Sequence, residues 1–359
     1  MPTPKSKSLD LKLARIAANP DCGDFLLADA KDADMAFGLA APGVAPGGDP
    51  ATGPFRSLAD YRDRIREIVR QGLVDIMLMS ASTSEVLAIE EGLFTDSAVT
   101  PAVRMNDTTD IWLAAGTGGY AREPALPFAT TTIAQARCGR IECPPTKVDG
   151  RGANLGLFSL TLNDDARLDR AMLEAYRDFR VTAEREGFRH FLEVFFPNAL
   201  RPGAVASAQP RRDPDSFDTA RFLADHVVRA LAGVPRAGRP LFLKIPYLGP
   251  AVMEQLAAYD RSLVVGILGG SAGTTHDAFG LVADARRHGA RVALFGRKIN
   301  AAEDQLAFVR CLRLVCDGAL APDEAVRKYH DDLKKLRIPP RRTVAADLER
   351  TPTAAAYGG

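Results

Sequence analysis

The sequence predicts a (β/α)8 TIM barrel, and three observations carry that expectation. Short apolar runs alternate with longer amphipathic stretches from Asp24 to the last quarter of the chain, the pattern of parallel strands joined by helical crossovers. Eight such runs occur: 24–29, 73–79, 100–106, 155–162, 189–197, 240–247, 263–269 and 291–296. Runs six to eight are nearly continuously apolar instead of alternating, as expected when a core covers one face of a strand and a ring of helices the other. A doubly wound open sheet is the competing architecture.

Between the runs, apolar residues recur at three- and four-residue spacing, most clearly over 57–71, 165–186, 216–232, 274–288 and 301–317, so these are read as the covering helices. Two segments interrupt the pattern on the side where barrel enzymes carry their chemistry. One is the Gly/Pro-rich stretch 41–54 after strand one. The other is an extended loop after strand three, 107–154, with a short helical piece near 131–139. One catalytic domain is expected over 1–337, closed by C-terminal helices at 301–337, with 338–359 an extended or disordered tail.

The 359 residues are 46% hydrophobic and 25% charged, and the mean hydropathy is −0.08, the profile of a globular protein with a sizeable core. Forty-six Lys and Arg balance 45 Asp and Glu, so no overall field draws the chain to nucleic acid or an anionic membrane, and an anionic ligand must be held by a local site. The five cysteines (22, 138, 143, 311 and 316) are sparse and without C-x2-C spacing, which suggests neither a disulfide framework nor a zinc site; Cys311 and Cys316 read as buried small hydrophobes. The opening MPTPKSKSLDLKLARIAANP lacks the apolar core of a signal peptide, and no run reaches about 18 apolar residues, so a cytoplasmic protein is expected.

Lys244 is the strongest chemical feature, because it interrupts the apolar run LFLKIP where a charge would leave water at considerable cost. Desolvation favours the neutral amine, the form that attacks a carbonyl to give a Schiff base. The plain alternative is a lysine that snorkels from the strand end or pairs with a carboxylate. Strand seven ends in LGGSAGTT before a helix and strand eight in FGRKIN. Small residues at both ends would let backbone N–H groups of Gly269, Gly270, Ser271 and Gly296 approach a phosphate, with Arg297 as a charged fork. Glu193, a second charge in an apolar strand, should neighbour Lys244 and serves either as acid/base or as its counter-charge. Tyr247 is another proton-transfer candidate or a packing residue. His276 reads as a helix-surface histidine. His190, His226, His288 and His330 share no metal-ligand spacing, and Asp29, Asp32 and Asp34 are as readily solvated loop residues as a divalent-ion site. No metal and no cofactor is expected.

The motifs LFLKIPY, VVGILGGS and GARVALFGRKI, with a weaker echo in AVRMNDTT and LLADAKDADMAFG, resemble the class I aldolases of the archaeal fructose-bisphosphate aldolase type. That group also includes deoxyribose-phosphate-like and autoinducer-2 phosphate thiolase relatives, and the resemblance spans roughly residues 24–335. It implies that Lys244 forms the Schiff base, that Gly269, Gly270, Ser271, Gly296 and Arg297 hold a substrate phosphate, and that Asp29 orients substrate or assists proton transfer. It also implies a homo-oligomer. The match fails at strand five, where the family's tyrosine before a proline is replaced by Phe196 before Pro197 in EVFFPN. The resulting expectation is a metal-independent aldolase or lyase acting on a phosphorylated ketose or small keto compound. The alternatives are a thiolase or transferase of the same family, a non-catalytic sugar-phosphate-binding barrel, and a flavin mononucleotide barrel that would leave Lys244 without a role.

Overall fold

The computed structural model describes residues 6–49, 52–113, 122–143, 150–200, 218–270 and 273–351. All eight expected strands are present: β1 Leu26–Lys31, β2 Ile76–Met79, β3 Thr100–Arg104, β4 Leu155–Thr161, β5 Arg189–Phe195, β6 Leu243–Lys244, β7 Gly266–Leu268 and β8 Val292–Phe295. They form one parallel sheet in the order β6-β5-β4-β3-β2-β1-β8-β7. A bridge between Ile245 and Ile267 joins its two edges, with Ile245 N–H donating to the Gly266 carbonyl at 3.0 Å and Leu268 N–H to the Ile245 carbonyl at 2.8 Å. The fold is therefore a (β/α)8 barrel.

The period-two alternation of each strand sorts its side chains between two cores. Leu26, Ala28, Ala102, Leu157, Phe191, Phe242 and Leu294 fill the barrel interior, and Leu9, from the helix Ser8–Ala18, closes its floor. Leu27, Met77, Met79, Leu243 and Ile245 point the other way, into the larger core beneath the helices. At that floor Asp75, just before β2, accepts from the Leu27 amide at 2.8 Å and pairs with Lys12 at 2.9 Å and Arg313 at 3.3 Å.

The irregular segments carry two hairpins, Val44–Asp49 with Gly53–Phe55 and Asn106–Thr108 with Pro127–Ala129, and the short helix Ile133–Cys138. Gly139 turns left-handed after that helix (φ 74°), and the returning chain pairs Cys143 with Cys138 in a disulfide that the cysteine spacing had not suggested. Cys311 and Cys316 are buried. Helices Gln305–Cys316 and Pro322–Leu336 follow the barrel. The segment read as an extended tail holds a further helix, Val344–Leu348, capped by Thr343 Oγ1 on the Ala346 amide. Its Asp347 is buried, accepting from the Thr275 amide at 2.8 Å and lying 3.0 Å from His330 Nε2. No described helix is long and apolar enough to cross a membrane.

Candidate active site

The barrel interior changes character near the C-terminal ends of its strands. Two residues beyond the apolar layer of Ala102, Leu157, Phe191 and Phe242, the same alternation presents Arg104, Ser159, Glu193 and Lys244 to the axis. Register places Glu193 beside Lys244 on one side and Ser159 on the other. All are buried: Lys244 is 3% exposed and Glu193 not at all.

Glu193 is the centre of the network. Its Oε1 lies 2.5 Å from Lys244 Nζ, and its Oε2 accepts from Ser159 Oγ at 2.7 Å and from Arg104 Nη2 at 3.1 Å. The Arg104 guanidinium also donates from Nε to Asp32 Oδ2 at 2.6 Å and from Nη1 to Asp107 Oδ1 at 3.3 Å and Ser159 Oγ at 3.2 Å. Asn106 holds the Ser159 backbone on both sides, accepting its N–H at 2.7 Å and donating to its carbonyl at 3.0 Å. Burial alone would raise the Asp32 carboxyl, but Arg104 and Lys244 outweigh it and hold the acid below its ordinary range. Asp107 behaves in the opposite way: burial pushes it up to about 6 despite Arg104.

Lys244, Asp32 and Arg104 line a narrow recess of about 30 Å3 together with Gly269, Gly296 and Arg297. Three of the residues expected to hold phosphate are thus brought to the lysine. Two of these glycines are also demanded by packing. A Cβ at Gly269 would lie 2.3 Å from the Phe295 ring, and one at Gly296 would lie 2.2 Å from the Ala30 carbonyl oxygen. Gly270 meets no such constraint. Arg297 lies over the Phe37 ring at 5.4 Å, and Ser271 falls outside the described residues.

Asp29 is not in this recess. Strand β1 runs two residues further than its apolar pattern suggests, so Asp29 lies inside the strand and shares the outward face of Leu27. There it is fully buried against Lys31 at 3.2 Å, and its carboxyl is raised by burial against the pull of Lys31. The residue that takes the expected place is Asp32. Tyr247 also departs from expectation: it packs with the outer core, among Asp284, Glu254 and Arg287. Phe196 likewise belongs to the outer core, and the strand-five residue facing the barrel mouth is Phe195. His276 is buried, not on the surface, with Nε2 2.8 Å from Asp323 Oδ1. Asp34 accepts from Ser80 Oγ at 2.6 Å, apart from Asp29, so the three aspartates do not converge; among the described residues no cluster of His, Cys, Asp or Glu could hold a metal ion.

Arg104 and Ser159 were not singled out as site residues in the sequence, and Asp32 was weighed only as a divalent-ion ligand or a solvated loop residue. Arg104 could have been: it interrupts the apolar strand TPAVRM just as Lys244 interrupts LFLKIP. Ser159 carries no comparable mark, because a serine in a strand is unremarkable until register places it against a carboxylate.

No family model and no curated protein sequence matches the chain. Solved structures do. An archaeal fructose 1,6-bisphosphate aldolase aligns over 87% of this chain and 100% of its own, with 16% identity and a TM-score of 0.56. The chain shares its fold with fructose-bisphosphate aldolases. A second, from Slackia heliotrinireducens, aligns over 90% of both chains with 16% identity and a TM-score of 0.59. A third is an archaeal aldolase whose catalytic lysine is covalently bound to the carbinolamine intermediate of its substrate; it has 17% identity, a TM-score of 0.56 and coverage of 87% and 100%. At these identities the likeness is one of fold.

Proposed function

We propose that this barrel is a class I aldolase or closely related lyase that forms a Schiff base between Lys244 and the carbonyl carbon of a small phosphorylated ketose or keto compound. The observation that carries the reading is the buried Lys244, paired with Glu193 and lining a recess that Gly296 and Arg297 also line. The fold shared with Schiff-base-forming aldolases supports it.

In this reading Glu193 Oε1 accepts a proton from the Lys244 ammonium, and the neutral amine adds to the carbonyl carbon. The carbinolamine hydroxyl takes that proton back from Glu193 and leaves as water, giving a protonated imine whose positive charge again faces the Glu193 carboxylate. The imine then takes up the electron pair of the cleaved carbon–carbon bond as an enamine, while the hydroxyl proton of the departing carbonyl fragment passes to Glu193. Protonation of the enamine and addition of water to the imine release the second product and restore the lysine. Asp32, held ionised, orients Arg104, and Arg104 with Ser159 holds Glu193. Glu193 thereby takes the proton-transfer role that the resemblance gave to a strand-five tyrosine.

Borohydride reduction in the presence of phosphorylated carbonyl metabolites, followed by mass spectrometry of peptides, tests this. The expected result is a stable adduct on Lys244 that Lys244→Met lacks. An adduct on Lys31, or undiminished labelling of the variant, would refute the assignment. A second reading, a sugar-phosphate-binding barrel without catalysis, is favoured by the closed ion network around Lys244. In that case metabolites bind and nothing is trapped.

A further inference from the structure

The recess at Lys244 is too small for a whole substrate. About 30 Å3 admits little more than a water molecule or a carbonyl group. Through Ala33, Phe37, Gly296 and Arg297, which line both, it adjoins a cavity of about 600 Å3 between the loop after β1 and the start of the segment after β8. That volume is in the range of sites for whole small molecules. Its walls are mainly apolar, with Phe37, Ala41, Val44 and Ala45 among them. Three arginines, Arg56, Arg297 and Arg341, line it, and among the described residues no carboxylate does.

Two of these arginines are fixed from behind. Arg56 Nη1 donates to the Val44 carbonyl at 2.5 Å and Arg341 Nη1 to the Ala301 carbonyl at 2.6 Å. A guanidinium has five N–H donors in a rigid fork, so each bond orients its fork while using one donor. Cationic forks on an apolar chamber whose described lining holds no acid match a ligand whose apolar body ends in an anion.

Resting on the Schiff-base reading of Lys244, we infer that the substrate is an elongated carbonyl compound. Its carbonyl enters the Lys244 recess, its apolar middle of several carbons lies along Phe37 and Val44, and its far end carries a carboxylate or phosphate held by Arg56 and Arg341. These two arginines would set selectivity for chain length and charge.

Three methyl ketones of similar length test this on the full chain: 2-octanone, 7-oxooctanoate and 6-oxoheptyl phosphate. Calorimetry is expected to show at least one anionic ketone binding tenfold or more tightly than 2-octanone, and the better of the two identifies the terminal group. The preference should fall to threefold or less in Arg56→Gln/Arg341→Gln. Equal binding of all three, no binding of either anionic ketone, or an unchanged preference in the double variant would overturn the inference. Because the comparison among ketones is made on wild-type protein, it stands even if the double variant folds poorly. Borohydride trapping separates the two claims. Tight anion-dependent binding without an adduct leaves the cavity assignment and removes the Schiff base. An adduct formed with equal affinity for all three ketones does the reverse.

Discussion

At the residue scale Glu193 does two jobs with one carboxylate: Oε1 faces the lysine, and Oε2 is held by Arg104 and Ser159. Glu193→Gln preserves shape but removes the proton acceptor and the counter-charge. If Glu193 transfers protons, single-turnover cleavage from the preformed imine should slow by about 10²-fold or more while trapping at Lys244 persists. If it only balances charge, the pH dependence of trapping should move to lower pH and cleavage stay near normal, because loss of the neighbouring charge lowers the lysine pKa. Asp32→Asn acts one step further out. With the Asp32 carboxylate no longer fixing Arg104 Nε, Glu193 should be less well oriented, and trapping should slow in Asp32→Asn but not in Asp29→Asn, whose carboxyl faces Lys31 on the other side of the strand.

At the scale of the element, the strand ends around the mouth depend on close approach of backbones and rings. Ala at 296 would drive its Cβ into the Ala30 carbonyl, and Ala at 269 into the Phe295 ring, whereas Ala at 270 meets nothing within 4 Å. Gly296→Ala and Gly269→Ala should each cost about 1–3 kcal/mol in denaturant unfolding, with Gly270→Ala near neutral. Equal, small effects at all three positions would mean that the strand ends are looser than this packing implies. Alternation explains the placement of Asp29, which lies at an odd step from Ala28 and Ala30 on the inner face; Tyr247 lies beyond β6 and packs against the outer core.

At the scale of the whole molecule, the floor of the barrel is tied together by Asp75, which serves the Leu27 amide, Lys12 and Arg313 from three parts of the chain. Asp75→Ala leaves two buried or half-buried cations and an amide without that partner, and should destabilise by about 3–5 kcal/mol. Acid lability has an identifiable contributor in His190, buried against the Tyr176 hydroxyl at 3.0 Å and pushed down to about 3 by burial, with Arg180 adding repulsion. The unfolded chain takes up this proton below about 6.5 and the folded chain does not, so stability should fall as pH drops from there, by up to about 1.4 kcal/mol per unit. In urea titrations between neutral pH and about pH 4, His190→Gln should show a shallower decline. Asp107 acts with the opposite sign: its folded pKa is raised to about 6, so the stability from its protonated form is lost as pH rises toward that value.

Eight parallel strands with covering helices were legible in the sequence, because apolar runs separated by helical periodicity have few other ways to bury both faces of their strands; closure of the sheet into a barrel rests on the Ile245–Ile267 bridge. The sequence also determined that Lys244 and Glu193 would meet, because each breaks an apolar strand and consecutive strands of a barrel are neighbours. Gly296 and Arg297 were legible too, from their place at the end of strand eight. Which face each polar residue shows is settled by strand length and pairing. Strand β1 extends to Lys31, so Asp29 lies inside it on the outward face of Leu27 and not at its end, and Asp32, just beyond the strand, is left for the mouth. The tertiary structure decided as well that Arg104 and Ser159 complete the network around Glu193, and that the segment after Ile338 folds back to seat Asp347 on the Thr275 amide. Periodicity records how often a side chain is buried. Register and strand length decide against what it is buried, and both are settled by pairing between residues far apart in the chain.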